Sequence, residues 1–272
     1  MSDQKLSIKE KVGYGLGDFA ANIVFQTVLI FLMYYYTDIF GIPVAAVGTL
    51  FLLSRIWDAV NDPLMGAISD RTKSKHGRFR PWIKWTALPF GIMAVLMFTT
   101  PDFGVNGKII YAYVTYILMM MIYTANNIPY GALSGVMTSD SIERTSLNSY
   151  RFVFGQSAAV MVQGLTLPLI AILGSGNKQL GYQLTMGLFA LIAVILFYIT
   201  FYSTKERIEP PKEQSTPLKE DLKDLMNNRP WMILFFMGIV TFIFLSLRIA
   251  VGLYYFQYYV GDESLFSMFA VL

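Results

Sequence analysis

Long apolar runs dominate this chain, and they leave few folds open to it. A helix that crosses a bilayer needs about 20 mostly apolar residues. Runs of that kind stand at roughly 13–37, 43–67, 82–100, 108–135, 150–173, 182–203 and 231–258, and an eighth begins near Ser264. The charged fraction is 14%, against about 25% in ordinary soluble domains. The pattern predicts an all-α membrane protein. The apolar run that follows the mixed-charge start MSDQKLSIKEK is too long for the core of a signal peptide, so the first helix is expected to stay in the membrane.

Basic residues give the expected orientation. Of the 21 Lys and Arg, sixteen fall in the N-terminal stretch, the loop after the second run, Arg144, and the segment after the sixth run. The positive-inside rule puts that side, and the N-terminus, in the cytoplasm of a plasma (bacterial inner) membrane. Tyr34, Tyr35 and Tyr36, with Trp82 and Trp85, suit the membrane interface, and Gly41-Ile42-Pro43 reads as a turn. The one long polar stretch, Ser203–Arg229, contains Pro217–Met226, whose apolar spacing predicts a short amphipathic helix. Six spans, a linker and further spans suggest a transporter built from two six-helix halves. The expected division is 1–203 as a six-helix transmembrane half, 204–230 as a cytoplasmic linker, and 231–272 as the start of a second, truncated half.

Inside the second run, Leu53–Gly66 carries Arg55, Asp58 and Asp62. Residues three and four apart share a helix face, so all three point one way, with Asn61 beside them. A charge near the bilayer centre costs about 2.5–3.5 kcal/mol or more, and two carboxylates a turn apart repel unless a positive charge compensates them. An arginine, a proton or a hard cation such as Na⁺ fits that gap. Asp58 and Asp62 are therefore candidate ligands of a coupling cation, Na⁺ if the protein is sodium-coupled. A structural pair with Arg55 is the alternative, although one arginine cannot neutralise two acids. Pro63 also frees a backbone carbonyl one turn back.

Elsewhere, Asp18 and Asn22 lie at i,i+4 among the small residues Gly13, Gly15, Gly17, Ala20 and Ala21, which favour close helix approach. They are candidate substrate or cation contacts, unless Asp18 serves an interfacial arginine. Thr124, Asn126 and Asn127 precede Pro129, and adjacent amides point about 100° apart. Arg151 opens the fifth run, where it can bind a substrate or snorkel to the interface. Asp70 and Arg71, in the loop that ends Gly77-Arg78, suggest charge pairs locking the second helix to the third. Cys is absent, which excludes disulfides and thiolate metal sites, and the single histidine, His76, falls in a basic loop, so neither a His cluster nor a Ser-His-Asp triad is expected. No enzymatic activity is expected.

Six motifs together carry a resemblance: Gly13-Tyr-Gly-Leu-Gly-Asp18, Tyr34-Tyr-Tyr-Thr-Asp38, Arg55-Ile-Trp-Asp-Ala-Val-Asn-Asp-Pro63, Gly77-Arg-Phe-Arg-Pro-Trp82, Asn127-Ile-Pro-Tyr130 and Tyr150-Arg-Phe152. They resemble the glycoside–pentoside–hexuronide:cation symporter family. The resemblance implies a major facilitator fold of twelve helices in two halves, of which this chain holds the first half, a seventh helix and the start of an eighth. It implies that Asp58, Asp62 and Thr124 bind the cation and that Arg151 contacts sugar. Where the melibiose carrier of that family has aspartates in helices 1 and 4, this chain has Asn22 and Asn127, and Gly131 replaces a tryptophan. Loss of two carboxylates beside Arg151 makes an anionic sugar easier to accommodate. The expected function is sugar import coupled to Na⁺ or H⁺ by alternating access. The expected partners are a sugar or glycoside, a monovalent cation and the lipid bilayer, with no cofactor and no nucleic acid. A transporter of another amphiphile, such as a lysolipid, and a non-transporting sensor are the rival readings.

Overall fold

The computed structural model describes residues 5–208, 226–262 and 264–271, and among these it contains helices and no strand. In order they are α1 (Ile8–Tyr34) with a π-helical turn at Tyr35–Ile39, α2 (Val44–Arg71), α3 (Arg80–Met97), α4 (Val105–Met137), α5 (Ser141–Gly174) and α6 (Lys178–Ser203). They continue as α7 (Arg229–Tyr255) with a second π-helical turn at Phe256–Val260, and α8 (Ser264–Val271). Six of them, all but α3 and α8, are long and apolar enough to cross a membrane. The expected amphipathic helix at 217–226 lies largely outside the described residues.

Helix starts follow capping chemistry rather than the first apolar residue. Ser7 and Glu10 form a reciprocal capping box, so α1 begins at Ile8, ahead of the expected 13. Asp140 accepts from the amides of Ile142 (2.7 Å) and Glu143 (3.3 Å), which starts α5 at Ser141, well before the apolar run at 150. Arg151 is consequently almost three turns inside α5, not at its opening. Helix α2 runs unbroken through Pro63.

α1 is the axis of the bundle, packed chiefly on α5 and α6, while α3 packs on α4 and α6, and α2 chiefly on α4. Gly15 and Gly17 permit this closeness: a Cβ on Gly15 would stand 2.5 Å from the Phe154 ring, and one on Gly17 2.6 Å from the Tyr130 ring. Tyr35 and Tyr36, expected at the interface, are instead fully buried in the core. Tyr35 stacks against Phe40 and also meets Phe98 and Tyr182. The π-helical turn carries both rings among these aromatic neighbours.

One end of the bundle gathers the basic loops. Lys11 pairs with Glu143 at 3.0 Å and Arg207 with Glu10 at 2.5 Å. Glu206, beyond α6, accepts from the amides of Arg78 (2.8 Å), Phe79 (2.8 Å) and Arg80 (2.9 Å), capping α3. The expected lock of the α2–α3 loop by Asp70 and Arg71 charge pairs is absent among the described residues. Both side chains are exposed, and Asp70 contributes only its carbonyl, 3.5 Å from Arg78 Nη1. A carboxylate delivered from α6 does that work, reinforced by Trp82 Nε1 donating to Thr72 Oγ1 at 3.0 Å.

Candidate functional site

Two polar clusters lie within the bundle, and α4 touches both. The first joins α1 and α5. Asp18, 8% exposed, accepts from Arg151 Nε through Oδ1 at 2.9 Å and from Asn22 Nδ2 through Oδ2 at 3.1 Å. Asn22 Nδ2 also donates to the Asp18 carbonyl at 2.9 Å. The Arg151 guanidinium sits 5.4 Å from the Tyr130 ring centroid. Tyr130 stacks on Tyr14 at 4.6 Å, and each hydroxyl donates to the other's carbonyl, Tyr130 at 2.6 Å and Tyr14 at 3.3 Å. The guanidinium balances the carboxylate, the pairing that a buried acid requires. What remains is a set of donors and acceptors without net charge.

The second cluster joins α2 and α4. The α2 face turned to the bundle reads Val47, Leu50, Ser54, then half-buried Asp58, Asn61 and Asp62, then Met65 and Ser69, the three-to-four spacing of a single helix face. Asp62 Oδ1 accepts from Thr124 Oγ1 at 3.0 Å. Arg55 Nη1 reaches Asp58 Oδ2 at 3.4 Å, and its side chain is 58% exposed. Asp58 Oδ1 and Asn61 Nδ2 are buried without a hydrogen-bond partner. Buried polar atoms normally find partners, so these two mark a polar point with capacity to spare. A single, mostly exposed guanidinium faces two carboxyl groups here, so acids outnumber bases on this face. Arg55 also opens onto a cavity of about 290 Å³ lined by Phe25, Phe51, Tyr116 and Phe242.

Helix α4 ties these elements together through Thr124 to α2, Asn126 to Thr86 of α3 at 2.7 Å, and Tyr130 to α1. Asn126 is thereby occupied as a packing residue. Asn127 is half-buried and makes no side-chain hydrogen bond among the described residues. Tyr123, which sequence reasoning passed over, stacks on Phe25 of α1 at 5.0 Å, adjoins Thr124 of the second cluster in the chain, and shares a helix face with Tyr130 of the first, seven residues on. It stands between the clusters. A tyrosine beside Thr124 in an apolar run gave no signal that would separate it from other core rings. Among the described residues no group of three or more acids, histidines or cysteines is gathered, so an ion at Asp58 and Asp62 would draw further ligands from neutral oxygens. Arg248, in α7, lies 5.5 Å from the Phe269 ring and outside both clusters.

Residues 13–272 match the family model described as MFS/sugar transport protein. The chain belongs to that family. Among curated proteins it is 43% identical to the inner membrane symporter YicJ of Escherichia coli (strain K12), over 99% of this chain and 58% of that protein. It is 43% identical to the uncharacterized symporter YnaJ of Bacillus subtilis (strain 168), over 99% of this chain and 59% of the relative. It is 38% identical to the isoprimeverose transporter of Lactiplantibacillus pentosus, over 95% and 54% respectively. The chain thus spans less than two thirds of the relatives it matches. The resemblance to glycoside–pentoside–hexuronide:cation symporters holds at the level of the family, and six helices able to cross a membrane give the chain a multi-pass architecture.

Proposed function

We propose that the protein imports a neutral glycoside or pentoside together with a monovalent cation, Na⁺ or H⁺, by alternating access. The observation that carries this reading is the Asp58/Asp62 face, two carboxylates on one side of a spanning helix with a single exposed arginine at 3.4 Å and an orphaned Asp58 oxygen. A cation held there, with Thr124 fixing Asp62, balances the acids. Asp18, Asn22, Asn127 and Arg151 would take the sugar between α1, α4 and α5. Because Arg151 is already neutralised by Asp18 at 2.9 Å, that site offers no surplus positive charge to a carboxylate. This weighs against a uronide and for an uncharged sugar. Cation and sugar must each raise the other's affinity by the same factor. Tyr123, between the clusters, is the natural contact through which α4 carries that coupling. The basic end of the bundle is read as cytoplasmic.

Asp62→Asn removes one of the two charges and keeps the acceptor oxygen for Thr124. Sugar uptake in vesicles carrying this variant should no longer rise above equilibrium on imposing a cation gradient, while the protein still reaches the membrane. Wild-type accumulation in the variant would remove the cation assignment.

A further inference from the structure

The outer seam between α3 and α6 carries two features on one line. At the basic end, Lys84 Nζ lies 5.3 Å from the Phe201 ring centroid. Arg80 crosses the same ring at 4.8 Å, while its Nη2 donates to the Phe201 carbonyl at 2.6 Å. His76, next to Lys75 in the chain, meets the same Phe201 ring edge-on at 5.3 Å, which brings the basic loop to the ring that Arg80 and Lys84 cross. Glu206, the acid beside Arg80, is spent on three backbone amides, and among the described residues no carboxylate pairs with Lys75 or Lys84. Trp85, 54% exposed, packs edge-on against Trp82. An indole beside lysines is the composition of a headgroup-level anchor.

Further along the seam runs an apolar groove of about 380 Å³, with Leu88, Ile92 and Leu96 on one wall and Gly187, Leu191 and Val194 on the other. Its shape comes from glycines. A Cβ on Gly91 would stand 2.6 Å from Val194, so α6 approaches closely there, whereas a Cβ on Gly187 would meet nothing within 4 Å, which leaves a hollow. The register joins the two features. Lys84, Leu88, Gly91 and Val95 follow four-three-four spacing on α3, and Phe201, Val194 and Gly187 are seven apart on α6, so each set lies on one helix face. From Lys84 to Leu96 the helix rises about 18 Å, close to half of the roughly 30 Å hydrocarbon core.

We infer that this seam binds one anionic glycerophospholipid, its phosphate against Lys84 and Lys75 and one acyl chain in the groove. A cationic mouth in which, among the described residues, no carboxylate pairs with Lys75 or Lys84, leading into an apolar channel one leaflet long, fits an anionic headgroup with a tail and fits neither a free anion nor an uncharged lipid as well. The site is separate from both polar clusters and does not rest on the transported substrate.

Native mass spectrometry of the purified full-length protein, titrated with phosphatidylglycerol and phosphatidylcholine of identical acyl chains, tests this. Wild type should retain the anionic lipid about fivefold or more over the zwitterionic one, the effect of one surface lysine on an anionic headgroup. Lys84→Gln should erase most of that preference and Lys84→Arg should keep it. Gly187→Leu, at a position where a Cβ meets nothing within 4 Å, puts a side chain into the hollow and should weaken both lipids alike. Lys108→Gln, at the opposite end of the bundle, should change nothing. Equal retention of the two lipids by wild type, or an unaltered preference in Lys84→Gln, would overturn the headgroup site. A Lys108→Gln effect as large as that of Lys84→Gln would reduce the preference to diffuse charge. Undiminished binding in Gly187→Leu, or equally tight binding of a six-carbon-chain phosphatidylglycerol, would overturn the acyl groove.

Discussion

Gly155 has no side chain because Asp18 occupies the place where one would stand. A Cβ there would lie 2.3 Å from Asp18 Oδ2 and 3.4 Å from Asn22 Nδ2. The glycine on α5 lets an acid on α1 swing between a guanidinium and an amide, both of which hold it in one rotamer. Gly155→Ala should push the carboxylate off this cradle and break hydrogen bonds to charge worth about 1.5–3 kcal/mol each. Sugar affinity in a counterflow assay should then fall about tenfold or more. The cation affinity measured in the absence of sugar should stay near the wild-type value, because Asp58, Asp62 and Thr124 are untouched. An equal shift in both would mean that the two clusters are not separable. Asp18, Asn22 and Arg151 were each readable as candidates, since intramembrane charges are costly and scarce. The pairing of Asp18 with Arg151, 133 residues away, was not. Periodicity fixes which face of a helix a residue occupies, but not which neighbour that face meets.

At the scale of the element, α3 depends on a residue outside it. Glu206 satisfies three consecutive amides at the entry to α3, those of Arg78 and Phe79 just ahead of it and of Arg80, its first residue, where N–H groups otherwise lack a helical partner. Gly77, with φ at +103°, turns the chain to present them and leaves 2.3 Å between a notional Cβ and the Glu206 carboxyl carbon. Glu206→Ala should lower the unfolding free energy of the purified protein by about 2 kcal/mol, the upper range for losing a cap. Gly77→Ala should cost at least as much through backbone strain and the carboxylate it displaces. The two should not add, because once Glu206 is truncated only the strain of roughly 1–2 kcal/mol remains at position 77. Additive losses in a thermal or denaturant unfolding series would show that Gly77 and Glu206 act independently. Helix starts were more legible than the apolar runs suggested. Ser7-x-x-Glu10 and Asp140-x-x-Glu143 are written in the sequence as capping signatures and mark Ile8 and Ser141. A ruler that measures apolar length alone passes over the polar turns at the end of a spanning helix. The Glu206 cap had no local signature, and the burial of Tyr35 and Tyr36 follows from a π-helical turn that residue spacing does not announce.

Across the whole molecule, α1 and α7 repeat one design. Each is 27 residues long and runs into a five-residue π-helical turn, and a left-handed glycine follows, Gly41 at φ +79° and Gly261 at φ +80°. The two helices meet at these matching ends, away from the basic end. Thr37 Oγ1 and Tyr254 Oη lie 3.1 Å apart, Tyr34 Oη donates to Gln257 Oε1 at 3.4 Å, and Tyr258 Oη donates to Asp38. Half-exposed hydrogen bonds of this sort contribute only about 0.5–1.5 kcal/mol each. They hold the ends together without welding them, as a contact that opens once per cycle requires. The proposed alternating access demands that this end part to admit sugar, and the proposed orientation puts it outside the cell. The chain contains no cysteine, so a Thr37→Cys/Tyr254→Cys pair has no thiol background within it. A membrane-impermeant, reducible cross-linker added to intact cells should join the pair and abolish uptake, and reductant should restore it. Either single variant should transport before and after treatment. Uptake that survives full cross-linking would mean that these ends stay together throughout the cycle. Failure of the impermeant reagent to react where a permeant one succeeds would place this end inside the cell and reverse the orientation read from the lysines and arginines.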